Sequence, residues 1–444
     1  MLFKNYNDLI LNGQTQGLQQ KRKDALDILS AAIDAVQPFL VIKDIFCGMR
    51  LKFGSEDIDL SSFDHIYVVG FGKASIGMAQ AVCDAIPVEK GIVITNDPSA
   101  IIAHHSIEVI TGGHPLPNED SIRGTEKILH LLDQCSENDC VIVLISGGGS
   151  SLLCKPRVPL NALQKINDML LRSGVSIDEL NVIRKHLSLV KGGQLAQHTK
   201  AVIVSLIISD IVHDPIASIA SGPTSPDPTT FSDAREILRR YKLWEKTPIK
   251  VRAVIMDGIA GRISETLKEN NPVFETVLNF IIANNERACQ GAMEKAKELG
   301  YDAKLLTTSI TGEARVIGKY LINRARKSLF HGKTVVVTSG ETTVTIQGDG
   351  TGGRNQELVL SCVEEIAGSE FVVVSFGTDG IDGNSDAAGA LADGYTLSRA
   401  LKKKLNLSRF LEQNNSNVFF QLLGDTLLTG LTGTNVMDIQ IIIK

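Results

Sequence analysis

The chain has 444 residues, of which 43% are hydrophobic and 21% are charged, and its formal net charge is −5. This composition predicts a globular protein of two or three domains and excludes a disordered or fibrous chain. The acidic balance argues against nucleic acid as a partner, and no apolar run reaches the roughly 18 residues of a membrane span. Seven cysteines without a CxxC pair and an N-terminus without a secretion signal predict a cytoplasmic protein with buried thiols.

Strand-like and helix-like segments alternate through the first half of the chain, which predicts an α/β fold with a parallel sheet. An amphipathic helix at 24–36 comes first and is expected to pack on the outside. Asn118 is expected to cap a later helix, and Ser176 and Glu179 have the spacing of a capping box at another. The expected strands lie at 66–69, 92–95, 107–110, 141–146 and 201–209.

The second half repeats this alternation. Turn-forming residues at 243–248 predict a boundary between a Rossmann-like N-terminal domain (1–245), with helices on both faces of its sheet, and a smaller C-terminal α/β domain (246–444). Whether the tail after 429 packs on the N-terminal domain stays open. Helices are expected at 285–299 and 312–329, strands at 334–338, 371–376 and 438–444, and a hairpin with a glycine-rich loop at 339–357.

Four glycine-rich loops stand where strands run into helices, with the sequences GFGKAS, SGGGSS, GGRNQE and GTDGIDG. Loops at the carboxyl ends of parallel strands are where α/β proteins bind ligands. GFGKAS lacks the third glycine of a dinucleotide fingerprint. It also lacks the Ser or Thr of a Walker A loop, because Ala74 stands at that position. Each loop alone is equally explained as a tight turn, so the argument rests on all four together.

The charged residues of these loops point to one kind of chemistry. The backbone amides of SGGGSS, at the expected start of a helix, suit an anion. Lys73 and Arg354 add positive charge, and Asp210 and Asp379 offer oxygen ligands for a divalent cation. Because Arg354 stands between glycines and a helix, its guanidinium is expected to swing on a flexible tether. An amide cradle, two cations and carboxylates are the groups that phosphoryl transfer requires.

Eight motifs now occur in a fixed order: GFGKAS, GGHPLPNEDS, LISGGGSSLL, NVIRKHLSLVKGG, IISDIVHDPIASIASGPTSPDPTTF, GETTVTIQGDGTGGRNQE, FGTDGIDGNSDAAGA and TGTNVMDI. With them the chain resembles the glycerate 2-kinase family, also called class II glycerate kinases or the MOFRL family. The resemblance runs from about residue 25 to the end. It implies ATP-dependent phosphorylation of D-glycerate to 2-phosphoglycerate with Mg²⁺, and two domains with the active site in the cleft between them.

The resemblance also places the family's functional lysine on Lys73 and its functional arginine on Arg354. The other roles are physical inferences from the matching motifs. Arg184 or Lys191 is expected to bind the glycerate carboxylate. Asp210 and Asp379 are expected to bind Mg²⁺ or to accept the hydroxyl proton, with Asp210 as the catalytic candidate. The remaining expected contacts to nucleotide and substrate are Gly72, Gly147, Gly148, Gly149, Ser150, Ser151, Glu341 and Gly353.

Two functions of other classes, and one variant of the kinase function, stay open at this point. An NAD(P)H-dependent reductase of hydroxypyruvate or tartronate is one, because relatives of this family have carried reductase labels. A nucleotide-sensing protein without catalysis is the other, although the intact Lys73 and Arg354 argue against it. A kinase for a related hydroxy acid is a third reading, since this chain departs from the family at Val212–His213 and Leu431. A homo-oligomer remains an open alternative to a monomer.

Overall fold

The computed structural model describes residues 1–327 and 332–444. Its helices are α1 (Tyr6–Leu11), α2 (Gln16–Asp34), α3 (Pro38–Ile45), α4 (Ser75–Ala85), α5 (Glu119–Leu132), α6 (Gly149–Leu152), α7 (Leu160–Arg172), α8 (Ile177–His186), α9 (Phe231–Arg240), α10 (Ile249–Ile259), α11 (Asn285–Glu298), α12 (Ala314–Lys327), α13 (Arg354–Cys362), α14 (Thr396–Lys402), α15 (Leu407–Glu412) and α16 (Ser416–Leu423).

The strands, in chain order, are β1 (Phe46–Cys47), β2 (Arg50–Phe53), β3 (Glu56–Asp59), β4 (Ile66–Phe71), β5 (Lys90–Thr95), β6 (Ile107–Thr111), β7 (Cys140–Ile145), β8 (Val202–Ile208), β9 (Val277–Ala283), β10 (Asp302–Ile310), β11 (Thr334–Gly340), β12 (Val372–Gly377), β13 (Gly389–Asp393), β14 (Thr426–Leu427) and β15 (Asp438–Ile443). The expected end of one helix at Leu329 lies outside the described residues.

The chain divides into two compact units. We call residues 41–282 the parallel-sheet unit, and residues 1–40 together with 283–444 the mixed-sheet unit. Each unit is built around its own six-stranded sheet with helices packed against it. The expected α/β class with two sheets is therefore confirmed.

The parallel-sheet unit has the strand order β6-β5-β4-β7-β8-β9, and β6, β5, β4, β7 and β8 pair in parallel. Every residue of β7 is buried, as a strand covered on both faces requires. A small antiparallel sheet, β1-β2-β3, precedes it. The two expected helix starts are confirmed, because Asn118 caps α5 and Ser176 forms a capping box with Glu179 at α8.

The mixed-sheet unit has the order β10-β11-β15-β12-β13-β14. The C-terminal strand β15 lies between β11 and β12 and runs antiparallel to both, and all its residues are buried. The tail is thus a central strand of this unit. The sequence leaves open whether the tail packs on the N-terminal domain, and β15 pairs instead within the mixed sheet.

The expected boundary near 243–248 falls inside the parallel-sheet unit. Leu243, Val251 and Ile255 belong to one buried cluster with Leu180 and Phe231. Strand β9, well beyond the expected boundary, lies at the edge of the parallel sheet beside β8. The turn-forming residues at 243–248 therefore connect two helices of one core, and the chain leaves this unit only at 282–283.

The N-terminal helices also differ from expectation, because residues 1–40 belong to the mixed-sheet unit. Helix α2 is largely buried on one side and packs against α11, β12 and β15. Its fully buried Arg22 forms ion pairs with Asp393 at 2.6 Å and with Asp425 at 2.9 Å. The helix is thus an internal part of that unit, and the unit is assembled from both ends of the chain.

Three further features complete the fold. The expected hairpin after β11 is absent among the described residues, where only Thr343 forms an isolated bridge to Glu313. Of the seven cysteines none is in a disulfide and five are buried, while Cys47 is exposed, contrary to expectation. Within residues 1–327 and 332–444, no single helix is long and apolar enough to cross a membrane, although α2 and α3 pass that test together as a bent pair.

Candidate active site

The loops of the parallel-sheet unit meet at one edge of its sheet. Phe71 at the end of β4 is in register with Ile145 at the end of β7, and Ile145 is in register with Ile207 in β8. The segments that follow these strands carry Lys73, the SGGGSS loop and Asp210. Parallel pairing therefore brings three sequence-predicted groups to one edge, as expected for a ligand site.

The GFGKAS and SGGGSS loops pack directly on each other. Gly72 has a φ of +129°, and a Cβ there would lie 2.2 Å from Ser146 Oγ. Only glycine fits, because both the backbone conformation and the close approach exclude a side chain. Gly72 therefore shapes the turn that carries Lys73, which is half-buried beside the SGGGSS loop.

Backbone amides in the two loops differ in availability. The Lys73 amide donates to the Gly147 carbonyl at 2.9 Å, and the Ala74 amide donates to Ser146 Oγ at 3.0 Å. The amides of Gly147 and Gly148 make no hydrogen bond to any described residue. The glycine loop thus keeps donors for a ligand, whereas the amides of Lys73 and Ala74, just before α4, are already hydrogen-bonded. The expected helix after SGGGSS is only the short α6.

A layer of buried polar groups supports the glycine loop. The Lys191 ammonium donates to the carbonyls of Ser150 at 2.6 Å and Leu153 at 2.7 Å. Burial lowers the pKa of Lys191 to about 8. Ser150 Oγ is hydrogen-bonded to Ser221 Oγ at 2.8 Å, and Ser221 donates to Asn181. Lys191 and Ser150 therefore hold the loop in place through contacts within the protein.

Ser151 and Gly149, two other predicted contacts, are also engaged internally. The Ser151 hydroxyl donates to the Gly148 carbonyl at 3.0 Å. A Cβ on Gly149 would lie 2.9 Å from Ala220 Cβ and 3.0 Å from Phe71 Cδ2. Both residues therefore set the shape of the loop, and the amides of Gly147 and Gly148 remain without a partner among the described residues.

Arg184 has few partners for a half-buried cation. Its Nε donates to Asn167 Oδ1 at 3.2 Å, and it makes no ion pair with any described carboxylate. Burial lowers its pKa to about 10, and its charge contributes to the lowered pKa of Lys191 nearby. A half-buried guanidinium without a carboxylate is suited to receive an anion from outside.

Arg354 lies in the mixed-sheet unit as the first residue of α13. In contrast to Arg184, it is paired with carboxylates. It holds the buried Asp438 through Nε at 2.5 Å and Nη2 at 3.0 Å, and its Nη1 contacts Glu341 at 2.6 Å. Burial alone lowers the pKa of Arg354, but Asp438 and Glu341 together raise it above the ordinary value. The expected swinging tether is wrong, because a bidentate pair fixes the guanidinium.

The start of α13 is shaped by Asp382. Its carboxylate accepts the backbone amides of Asn355 at 3.0 Å and Gln356 at 2.8 Å, so it caps the helix from another segment. Burial raises the pKa of Asp382 to about 6, against these hydrogen bonds. A Cβ on Gly353 would lie 2.3 Å from Asp382 Oδ1, which explains the glycine before Arg354.

A cavity of about 740 Å³ opens beside Arg354. Its walls include Glu341, Thr343, Ile346, Gly353 and Asn384. The segment expected to be a hairpin is thus the wall of a cavity. Glu341, Gly353 and Arg354, all predicted from the sequence, are brought together here.

The two predicted metal ligands lie in different units. Asp210 is half-buried after β8 of the parallel sheet, and Asp379 is half-buried after β12 of the mixed sheet. Asp379 is close enough to Asp438 to raise its pKa, to which burial contributes most. Among the described residues, no cluster of three or more Asp, Glu, His or Cys side chains is arranged to hold a metal ion.

Sequence reasoning missed three residues of these sites. Asp438 stands at the start of the buried strand β15. A charged residue at the start of an apolar run was the sequence signal that could have identified it. Asp382 was overlooked in favour of Asp379 in the same loop. His114 lies against Gly148 and Lys73, and its motif GGHPLPNEDS was used only as a marker of resemblance.

Comparison with known proteins agrees with this geometry. Residues 24–256 match the family model of a domain of unknown function, DUF4147, and residues 334–438 match the MOFRL family. The chain is 40% identical to a glycerate 2-kinase of Pyrococcus horikoshii and 36% identical to a D-glycerate 2-kinase of Thermotoga maritima, in each case over 95% of this chain and 97% of the relative.

Two other relatives bear on the choice of function. The crystal structure of a glycerate kinase from Thermotoga maritima superposes with a TM-score of 0.85 at 35% identity, covering 96% of this chain and 99% of that one. A protein of Agrobacterium vitis, provisionally named hydroxypyruvate reductase, is 39% identical over 85% of this chain and 86% of its own. By near full-length identity and by fold, the chain belongs to the glycerate 2-kinase family.

Proposed function

We propose that this chain is an ATP-dependent glycerate 2-kinase, which transfers the γ-phosphoryl group of ATP to the 2-hydroxyl of D-glycerate. The products are 2-phosphoglycerate and ADP. The observation that carries the proposal is near full-length similarity to relatives named for this activity. The free thiols, with five of the seven buried, support a cytoplasmic location.

Arg184 is our candidate for the glycerate carboxylate. Of the two cations expected in this role, Lys191 already donates to two carbonyls, whereas Arg184 has one neutral partner. A carboxylate gains charge-assisted hydrogen bonds from a half-buried guanidinium. The choice of Arg184 over Lys191 therefore follows from the difference in their partners.

Lys73 and the glycine loop are our candidates for the transferred phosphoryl group. The amides of Gly147 and Gly148 supply donors, and the ammonium of Lys73 supplies charge beside them. In phosphoryl transfer most of the catalysis is positioning and charge stabilisation. A lysine on this turn serves the purpose because Gly72 packs closely on Ser146, which holds the turn against the glycine loop.

Arg354 is our candidate for stabilising the transition state from the mixed-sheet unit. Its fork is oriented by Asp438 and Glu341. The carboxylates keep the guanidinium in a set position, so little reorganisation is needed when phosphoryl oxygens approach. Because Glu341 is half-exposed, an incoming anion can displace its carboxylate from Nη1 of Arg354.

Mg²⁺ is part of the proposal, with Asp210 and Asp379 as its candidate ligands. Both are half-buried carboxylates that follow strands, which suits a hard cation that prefers oxygen. Mg²⁺ commonly takes one or two carboxylates and completes its shell with water and substrate phosphates. Bound Mg²⁺ would offset negative charge on the phosphates of ATP.

The reductase alternative has one relative in its favour, the provisionally named hydroxypyruvate reductase. A dinucleotide fold would place the cofactor pyrophosphate on free amides at the first strand-to-helix turn. In this chain the amides of Lys73 and Ala74 are already hydrogen-bonded to the SGGGSS loop. This turn therefore favours the kinase.

A two-arm assay tests the proposal. Purified protein is incubated with ATP, Mg²⁺ and D-glycerate, with L-glycerate and tartronate in parallel, and the phosphorylated position is determined by NMR. In the second arm, hydroxypyruvate or tartronate is tested with NADH and NADPH. We expect 2-phosphoglycerate and no nucleotide oxidation, with turnover lost in Lys73→Met. Formation of the 3-phosphate alone, or turnover only with NAD(P)H, would overturn the proposal.

A further inference from the structure

His114 lies beside the loop and the lysine that we assign to phosphoryl transfer. It follows β6, and its ring packs on Gly148, where a Cβ would be 3.0 Å from its Cδ2 and 3.2 Å from its Nε2. A Cβ on Gly148 would also lie 3.5 Å from Lys73 Cγ. Gly148, with a φ of +83°, therefore lets the imidazole, the lysine stem and a free amide converge.

The imidazole is available for a reactant. No described residue hydrogen-bonds either of its ring nitrogens, and the side chain is exposed. The motif places it in a short loop whose start is held by Asn118, since Asn118 Oδ1 accepts the Gly113 amide at 3.0 Å. The His114 imidazole, with free ring nitrogens, lies next to the donors that we assign to the phosphoryl group. It is therefore placed to contact the substrate hydroxyl that attacks this group.

The protonation state also suits proton acceptance. Loss of water around the packed part of the ring, and then the nearby Lys73 charge, lower the pKa of His114 below its ordinary value. Lys73 is the charged group that faces the ring from the β4–α4 turn, while the β7–α6 loop presents the uncharged Gly148. The ring is therefore neutral at pH 7 and has a lone pair for a proton.

Building on the proposed function, we infer that His114 is a catalytic residue that accepts the proton of the 2-hydroxyl of glycerate during transfer. The hydroxyl oxygen bonds to the γ-phosphorus, the bond from γ-phosphorus to the bridging oxygen breaks, and ADP leaves with that electron pair. The hydroxyl proton moves to a ring nitrogen and is later released to water. Asp210 and Asp379 are then left for Mg²⁺.

The test compares His114→Gln with His105→Gln. The control histidine is exposed and stands before β6, about 20 Å from the other end of that strand at roughly 3.3 Å per residue. We expect His114→Gln to lower kcat by about 10²-fold, the low end for a general base, because transfer to phosphorus is loose. KM for ATP should stay within a factor of two or three, and the control should equal the wild type.

The pH profile separates proton acceptance from simple binding. In the wild type, kcat/KM should fall as pH drops below 6.5, because the imidazole becomes protonated, and this limb should vanish in His114→Gln. If the variant raises only KM for glycerate and keeps the limb, the inference is wrong and the proton goes elsewhere, with Asp210 the next candidate. An inactive wild type would instead refute the kinase proposal itself.

A second variant guards against loss of fold. His114→Ala, checked by its thermal melting point, should regain part of its kcat when free imidazole is added, because the small base can occupy the vacated space. The His105→Ala control should show no such gain. A folded His114→Ala protein that imidazole fails to rescue, together with an unchanged pH limb, would overturn the inference.

Discussion

Arg184 in the parallel-sheet unit and Arg354 in the mixed-sheet unit are both half-buried, and their surroundings are opposite. Arg184 has one neutral hydrogen-bond partner, and burial lowers its pKa to about 10. Arg354 is held by Asp438 and Glu341, which raise its pKa despite burial. Within residues 1–327 and 332–444, the Arg184 guanidinium has no counter-charge and the Arg354 guanidinium has two.

The difference suggests separate tasks for the two arginines. A shielded charge without a counter-ion is unfavourable until an anion arrives, so Arg184 is suited to bind a substrate carboxylate. A charge already balanced by protein carboxylates attracts a ground-state anion less, so Arg354 is suited to fixed donation in the transition state. Substitutions should therefore affect stability, kcat and KM differently at the two places.

The largest expected effect belongs to Arg22. Like Arg354 it is held by two carboxylates, but its side chain is fully buried. Arg22→Met leaves the buried Asp393 without its cation and leaves Asp425 with Arg399 alone. We expect the free energy of unfolding to fall by about 3–5 kcal/mol, measured by urea denaturation. The neighbouring Lys23→Met, which loses only a half-exposed pair with Asp27, should cost less than about 1 kcal/mol. Equal losses in both variants would contradict this account.

Arg354→Lys comes next, because it separates charge from geometry. Lysine keeps the positive charge and cannot reproduce the bidentate contact with Asp438. We expect kcat to drop by about 10²-fold or more, below the roughly 10³–10⁵ of a supplied arginine, with little change in KM for ATP. Arg409→Lys, an exposed change in the same unit, should be silent. A variant that kept its kcat and only needed more ATP would make Arg354 a ground-state binder.

Arg184→Met should show the reverse pattern. Loss of a charge-assisted hydrogen bond of about 1.5–3 kcal/mol should raise KM for glycerate by roughly 10- to 10²-fold and leave KM for ATP unchanged. Stability should not fall, because an unpaired shielded charge is removed. The control is Lys185→Met, at the next residue of α8. It leaves the buried Asp227 without its ion-pair partner, so it should lower the melting temperature without changing KM. If Arg184→Met unfolds the protein instead, its role is structural.

The smallest expected effect is a pH dependence at Lys191. Its native pKa of about 8 lies below the unfolded value, so the unfolded chain binds more protons between the two values and stability rises with pH there. Compared with Lys191→Met, the wild type should gain about 1 kcal/mol of unfolding free energy between pH 8.5 and 9.5. Parallel denaturation curves at both pH values measure this. A constant difference between the two proteins would mean that Lys191 titrates normally.

Local signals in the sequence determined much of this protein. Apolar runs predicted five of the six strands of the parallel sheet, all but β9, because buried strands and amphipathic helices have different periods. Capping residues such as Asn118 and Ser176 predicted two helix starts, since their side chains satisfy amides only a few residues away. The glycine-rich loops and Lys73 were also found, as their spacing is visible along the chain.

Long-range packing decided the rest. The sequence could not place α2 in the mixed-sheet unit, because the ion pairs of Arg22 with Asp393 and Asp425 join residues about 370 to 400 positions apart and have no local pattern. The same holds for Asp438, which joins Arg354 across 84 positions, and for the wall of the cavity at 341–353. Which cations are neutralised and which are left for a substrate depends on such pairings, and these exist only once the chain has folded.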